Sequence, residues 1–305
     1  MAAILNGHHN EVTGENAVFF GFFECIQDQE VANALLDTVL NWGKKKGLTL
    51  LKGPTSPTIN DDSGLLIEGF DSSPYIMMSY NPRYYQNLFK NYGLSKAKDL
   101  FAYFMDVTQR EVYETQKIVE LSQVVREREK VTVRNVSLKG DIEKDLQFAY
   151  EIYNSGWSKN WGYVPMTLED IRFLIQSLKS VAILDFTFIV EAGGVPVGLC
   201  FAIPNLNEIL KNIHGRLLPF GWWKLLRGFK KVSSLRVFAL GVKKEYHARG
   251  LGVVCYHELM ERTKKYNFTE SEQSWILEDN HMLNKAMEHM GAFVYKRYRI
   301  FEKKI

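Results

Sequence analysis

Two glycines two residues apart, Gly250 and Gly252, stand between a β-branched and aromatic run, SSLRVFALGV, and a run of helical spacing, GVVCYHELMERTKKYN. This junction constrains the fold more than any other stretch. A strand must pass through a tight turn directly into a helix, and a further strand, SEQSWIL, follows. A helix N-terminus presents unpaired N–H groups and a partial positive charge. Glycines just before it let a phosphate reach the backbone, and Arg249 and His247 could add charge. A plain strand-to-helix turn needs glycine as well, so the pair alone does not choose between an anion cradle and a turn.

The rest of the chain alternates strands and helices. With 305 residues it has material for two domains and an ample core. NAVFFGFFECI reads as a strand, and DQEVANALLDTVLNWGKKKG as a helix closed by lysines and Gly47. LTLLKGP reads as a short buried strand. A turn-rich stretch, a short helix RYYQNLFKNYG and a strand pair around AKDLFAYFMDV follow. The charged helical run 108–130 is the expected domain boundary. Beyond it come a strand KVTVRNVSL, helices over 141–181 interrupted by SGWSKNWGYVPM, a hairpin turned at Gly193-Gly194, and the glycine junction.

The two halves resemble each other. Each runs strand, helix, strand, then a short Asn-led helix closed by glycine, then a β finish. Asn81 precedes Gly93 by twelve positions and Asn280 precedes Gly291 by eleven. The first copy starts abruptly, AAILNGHHNEV reading as the tail of a hairpin, and its first strands and helices are expected to be missing from this chain.

Composition excludes several classes. Hydrophobic residues make up 46% and charged residues 24%, as in ordinary globular proteins. The net charge of +3 confines any basic surface to a local patch. Cys25, Cys200 and Cys255 show no CxxC pairing and read as buried small hydrophobes in a reducing compartment. Cys255 follows the glycines and is a conceivable nucleophile, though packing on the inner face of a helix accounts for it better. His8 and His9 read as surface or satisfied histidines, and no HExxH or Cys/His spacing occurs, so no metal is expected. The N-terminus has no signal-peptide pattern and no apolar run is long enough to span a bilayer. A cytoplasmic protein is expected, with the inner membrane face as a second station.

The order strand, HARGLG, helix, strand, Asn-led helix, paired strands resembles the GNAT superfamily of acyl-CoA-dependent N-acyltransferases. The family pattern is Q/R-x-x-G-x-G/A after a strand ending in Val. Here Val242 is followed by His247-Ala-Arg-Gly250-Leu-Gly252, so both glycines match and His247 replaces the leading Gln or Arg. The blocks GPTSPTINDDSGLLIEGFDSSPYIMM, NWGYVPM and VYKRYRIFEK are similar to the bacterial YghO-like group, whose members carry tandem GNAT-like lobes. The resemblance implies an α/β (α+β) fold of two GNAT-like lobes, each a mixed twisted sheet flanked by helices. Residues 1–107 would be a degenerate, truncated lobe, 108–130 a linker helix and 131–305 a complete acyltransferase domain.

It also implies how acetyl-CoA, or a longer acyl-CoA, would be held. The backbone of His247, Arg249, Gly250, Leu251, Gly252 and Val253 would take the pyrophosphate. The splayed strand through Phe238, Leu240 and Val242 would pair with the pantetheine arm, and Asn280 would contact the coenzyme. The matching junction of the first copy lacks the glycine pair, so the second lobe is the expected active one.

The usual catalytic groups are absent. Arg236 stands where many of these enzymes have a Glu base, and Met287 where they have a Tyr acid. Glu278, Asp279 and Tyr298 are the candidate substitutes. Acids before a helix serve its dipole equally well, and a strand Tyr packs. Asn160 and Trp161 on the acceptor side, and Asn60 and Asp61 in the long first-lobe loop, are the candidate amine-binding residues. The acceptor is expected to be a small-molecule or lipid-like amine. The insertion 207–231 interleaves Leu, Phe and a Trp pair with Lys and Arg, and reads either as a peripheral membrane contact or as a lid on the cleft. DNA is not an expected partner. A Fem-like reaction with aminoacyl-tRNA is disfavoured because the glycine motif is intact. A catalytically dead GNAT-fold binding protein is the competing reading.

Overall fold

The computed structural model describes residues 1–109, 115–137, 142–214 and 216–305. Residues 110–114 of the expected linker, residue 141 of the expected helical run and Gly215 of the insertion lie outside that description.

The first lobe is built on a βαβ unit. Strand β2 (Ala17–Gly21) leads to helix α2 (Gln29–Lys45) and to β3 (Leu50–Gly53), which pairs parallel with β2. Asp28 starts the helix by accepting the N–H groups of Glu30 (2.8 Å) and Val31 (3.2 Å), and Lys44 and Lys45 close it against the negative end of its dipole. Ala32, Leu36, Val39 and Gly43 form its buried stripe. Gly43 has to be glycine, because a Cβ there would meet Val18 Cγ1 at 2.6 Å. Ahead of this unit lie β1 (Ala2–Ile4), antiparallel to β2, and a helix, α1 (Gly7–Thr13). The hairpin tail expected there is therefore a strand followed by a helix, which Asn6 caps through the N–H of His9.

The second lobe repeats the unit. Strand β11 (Ser234–Val242) leads through the glycine junction to a helix, Leu251–Thr263, and to β12 (Glu270–Leu277), parallel to β11. On the other side of β11 stand β10 (Val195–Pro204), β9 (Thr187–Ala192) and β8 (Val131–Asn135), all antiparallel. Each lobe then finishes with a short helix and a long strand. These are Tyr85–Asn91 and β7 (Ser95–Asp106) in the first, His281–His289 and β13 (Phe293–Lys304) in the second. The expected strand pair near residue 100 is this single strand β7.

The two finishing strands are exchanged. β13 pairs with β3 of the first lobe, β7 pairs with β12 of the second, and β7 and β13 pair with each other. Among the described residues one sheet of eleven strands results, in the order β1-β2-β3-β13-β7-β12-β11-β10-β9-β8, with β6 (Leu65–Glu68) added on β13, while β4 (Thr55–Ser56) and β5 (Asp62–Ser63) pair apart from it. Packing agrees: Tyr103, Met105 and Val107 from the first third lie in the core formed with Val237, Val254 and Met287.

At the first-lobe end of the sheet, Lys52 is buried, its ammonium salt-bridged to Glu15 at 2.5 Å, and His9 bonds the same carboxylate at 2.9 Å. The His9 hydrogen bond, helped by Lys52, holds the Glu15 carboxyl down at about 2 against an ordinary 4.5. A depressed folded value means that stability is present above pH 4.5 and lost as pH falls toward 2. Glu15→Gln is expected to remove that part of the acid sensitivity. Thermal melts of both proteins across this window check it, since equal pH slopes would contradict the assignment.

Candidate active site

The site is organised by a parting of strands. β11 and β12 pair only from Ser234↔Glu270 to Val237↔Gln273 and then diverge, while β10 follows β11 to Val242 and β7 follows β12 to Leu277. From Phe238 onward one edge of β11 therefore has no neighbouring strand among the described residues, and its backbone groups are open to a ligand.

A cavity of about 660 Å³ occupies this region, within the size range of small-molecule sites. One wall is Phe238, Ser274 and the Trp275–Leu277 segment. The opposite wall comes from helices α5 (Ile142–Gly156) and α6 (Leu168–Leu178) and the turn between them, through Tyr153, Trp157, Asn160 and Trp161 (in chain order α3 is Tyr85–Asn91 and α4 is Gln116–Arg128). The first lobe supplies a third wall, Ser56–Ser63 and Met77–Ser79.

The sequence-expected acceptor residues converge here. Asn60 accepts from Tyr153 Oη (3.2 Å) and donates to Val164 O (3.1 Å), tying the first-lobe loop to the helix pair. Asp61 closes its own turn onto Thr58 and, beside Asp62, brings two carboxylates to the cavity. Burial and the neighbouring Asp61 push the Asp62 carboxyl above its usual value. Trp161 is clamped by first-lobe cations, Lys52 at 4.8 Å and Lys98 at 5.4 Å from its ring. The Asn160 side chain has no hydrogen bond among the described residues and faces the cavity. Trp157 was not foreseen. It stacks on Tyr153 at 4.7 Å and lies over β11 where Gly241 makes room, since a Cβ there would meet its ring at 2.3 Å.

At the glycine junction, Gly250 takes the left-handed conformation (φ +81°) that ends a 3-10 turn, Lys244–Arg249, and starts helix Leu251–Thr263. Among the described residues no side chain caps this helix, so its leading N–H groups, apart from that of Val253, are left for a ligand or solvent. A Cβ on Gly252 would meet nothing within 4 Å. Val253 N–H turns back to Gly250 O at 3.1 Å. His247 donates Nε2–H to Val242 O (2.8 Å) and so fastens the turn to the end of β11. Arg249 is engaged by Glu129 at 2.8 Å, and its own carbonyl accepts from Arg128. Arg249 is thus already paired, and what the junction leaves open to a ligand is backbone. Leu240 packs into the core, Val242 is buried, and Asn280 lines the cavity while capping the last helix through Leu283 N–H (3.3 Å).

The catalytic candidates fare differently. Glu278 is held by Lys96 (2.5 Å) and the Asp99 N–H (3.1 Å), and Asp279 by Lys98 (2.7 Å). Among the described residues that line the cavity neither appears, and both lysines come from the exchanged strand β7. Tyr298 is fully buried among Leu66, Leu100 and Leu277, with its hydroxyl unpaired among the described residues. Met287 is core, and Cys255 is buried on its helix with the thiol pushed up to about 12 by burial, which leaves it un-ionised at neutral pH.

At the fork of the two strands lies a cluster that sequence reasoning missed. Arg236, buried, donates to Ser274 Oγ (2.9 Å), Ile76 O (2.8 Å) and Met77 O (3.0 Å), locking the first-lobe loop to the fork. Glu272, opposite it in the β11–β12 register, is fully buried, 3.8 Å from Arg236, and accepts from Ser274 Oγ and Tyr295 Oη. Burial pushes its carboxyl up from the usual value against the pull of Arg236 and both donors. Ser274 faces the cavity. A hydroxyl backed by a buried carboxylate can pass a proton from the cavity inward. The signal was present in the strand ESEQSWIL, where a Glu, a Gln and two Ser stand at positions a central strand normally gives to apolar residues.

This architecture is that of a tandem GNAT protein. A GCN5-related N-acetyltransferase from Sphaerobacter thermophilus matches it with a TM-score of 0.53 at 13% identity, over 99% of this chain and 75% of that one. A tandem GNAT protein from the clavulanic acid biosynthesis pathway matches at 0.51 and 9%, over 95% and 76%. No family model matches the chain. Protein YghO of Escherichia coli (strain K12) is 36% identical over 303 residues, covering 97% of this chain and 76% of that protein. A bacterial ceramide synthase of Caulobacter vibrioides is 33% identical over 293 residues, covering 93% and 74%. The chain belongs to the family of these two proteins.

Proposed function

We propose that the protein is an acyl-CoA-dependent N-acyltransferase whose acceptor is a lipid-like amine. The observation that carries this reading is the cavity at the fork, bounded by an unpaired strand edge and shared by both lobes. The uncapped helix N-terminus behind Gly250 and Gly252 fits a pyrophosphate. A ceramide is the amide of a long-chain amino alcohol and a fatty acid, so the name of the Caulobacter relative describes acylation of an apolar amine. The aromatic and aliphatic walls here, Phe238, Trp157, Trp161 and Ile276, suit such a partner, and Asp61 and Asp62 suit its cationic amine.

An acyl thioester supplies the electrophile when bound. The chain's own part is to orient it along β11 and to exclude water with Trp157 and Met78. The amine, its ammonium proton first lost to solvent, attacks the thioester carbonyl. The C–N bond forms as the C–S bond breaks, and the amine's remaining surplus proton passes through the Ser274 hydroxyl to the Glu272 carboxylate. Coenzyme A leaves as a thiolate that takes up a proton from solvent. Holding both reactants in register can itself contribute roughly 7–11 kcal/mol to the barrier. We place the reaction in the lobe of residues 131–305, completed by β7.

Calorimetry with acetyl-CoA and palmitoyl-CoA, followed by thiol release across a panel of amines, tests this. Binding of the long-chain thioester and release with a long-chain amino alcohol are expected. Failure to bind any acyl-CoA overturns the reading. Binding without release from any amine returns it to a GNAT-fold binding protein.

A further inference from the structure

The segment between β10 and β11 carries a surface that the chain leaves uncovered. Among its described residues are two short helices, α7 (Asn207–Leu210) and α8 (Gly221–Phe229). One edge of α8 is packed: Gly228 lies against Ile209, where a Cβ would meet it at 3.0 Å, and Leu225 and Phe229 join the main core. The other edge and the turn before it expose Leu218, Phe220, Trp222, Trp223 and Leu226, from 44% for Trp223 to 79% for Leu218. None of these five is among the described residues that line the cavity.

The charge is one-sided. Arg216, Lys224, Arg227, Lys230 and Lys231 are all exposed, and none makes an ion pair among the described residues. The only acid of 207–231, Glu208, is turned inward and accepts the N–H groups of Ser233 (3.2 Å) and Ser234 (2.8 Å). Exposed tryptophans and leucines ringed by lysine and arginine complement an interface that is apolar below and anionic above. A second copy of the chain fits worse, because a two-fold contact would set this cationic patch against itself.

We propose that residues 216–231 dock the protein on an anionic lipid bilayer, with Leu218, Phe220, Trp222 and Leu226 inserted at the headgroup level. The base of the segment is tied to the cavity wall. Asn207 donates to Pro74 O (2.9 Å), Ile76 N–H donates to Asn205 (3.0 Å), and Met77 and Met78 line the cavity. Docking there sets the cavity's first-lobe wall beside the bilayer. This proposal stands apart from the acyl-transfer reading, since it concerns a different surface.

Co-sedimentation of the full chain with vesicles of phosphatidylcholine, alone and mixed with phosphatidylglycerol, tests it. Binding to the anionic vesicles is expected, with a blue shift of tryptophan emission. Replacing Lys224, Lys230 and Lys231 by Gln should weaken binding roughly fivefold per cation removed. The pair Trp222→Ser with Leu226→Ser should abolish it. Both variants should keep the parent's melting temperature and its coenzyme A affinity, which separates failure here from failure of the proposed reaction. Absence of binding to anionic vesicles, equal binding to both vesicle types, or binding unchanged in both variants overturns the proposal. So does a patch variant that turns a dimeric parent into a monomer without any vesicle binding.

Discussion

Gly252→Val is expected to lose coenzyme A binding while melting at nearly the temperature of the parent. A side chain at Gly252 finds open space on the protein side, since nothing lies within 4 Å of a Cβ there. It would occupy the approach to the uncapped first turn, where a pyrophosphate needs the backbone. A fall in affinity of roughly 100-fold, about 2.7 kcal/mol, is expected by titration calorimetry. Gly250 cannot give so clean a result. Its φ of +81° disfavours any side chain, at roughly 1–2 kcal/mol, and a Cβ would stand 3.0 Å from Val125 Cγ2. Gly250→Val should therefore lower both affinity and melting temperature. Normal coenzyme binding by Gly252→Val would mean that the glycines serve only the turn.

Ser274→Ala is expected to lower kcat by roughly 100-fold or more, within the range of a lost acid–base group. The serine hydroxyl bonds Glu272 and faces the cavity, so its removal separates carboxylate from substrate without opening the fork. Arg236 keeps its bonds to Ile76 O and Met77 O, and Tyr295 keeps Glu272, so the stability loss should be about 1 kcal/mol. The pH profile is the more specific readout. Burial raises the Glu272 carboxyl, and its protonated form cannot take a proton, so kcat should rise with pH through an inflection above the ordinary carboxylate range. Glu272→Gln should erase that inflection at a low, flat rate, and Ser274→Ala should flatten it. A Ser274→Ala enzyme with the parent's kcat and profile would remove this pair from the mechanism.

Much of the scaffold was legible in the sequence because its causes are local. Asp28 before an amphipathic run, lysines and Gly47 after it, and glycines between strand and helix act through neighbours within a turn or two. The similarity of the two halves likewise foretold two βαβ units, each followed by a short helix and a long strand. Asn60, Asp61, Asn160 and Trp161 were expected to face a cleft between the lobes, and the structure gathers all four on the walls of one cavity.

What the tertiary structure decided is which strand stands beside which. Periodicity identifies β7 and β13 as strands but carries no information on their partners, since a buried strand presents the same apolar pattern to any neighbour. Their exchange brought Lys96 and Lys98 onto Glu278 and Asp279, which pairs both acids with first-lobe cations. Arg236 reads in sequence as a missing base. In the fold it is the tie between the lobes, and the proton-accepting part that we propose lies with Glu272, its partner across the β11–β12 register. Such pairings join residues 36 to 182 positions apart. The free energy that selects them comes from backbone hydrogen bonds and desolvated charges that exist only once the sheet has closed.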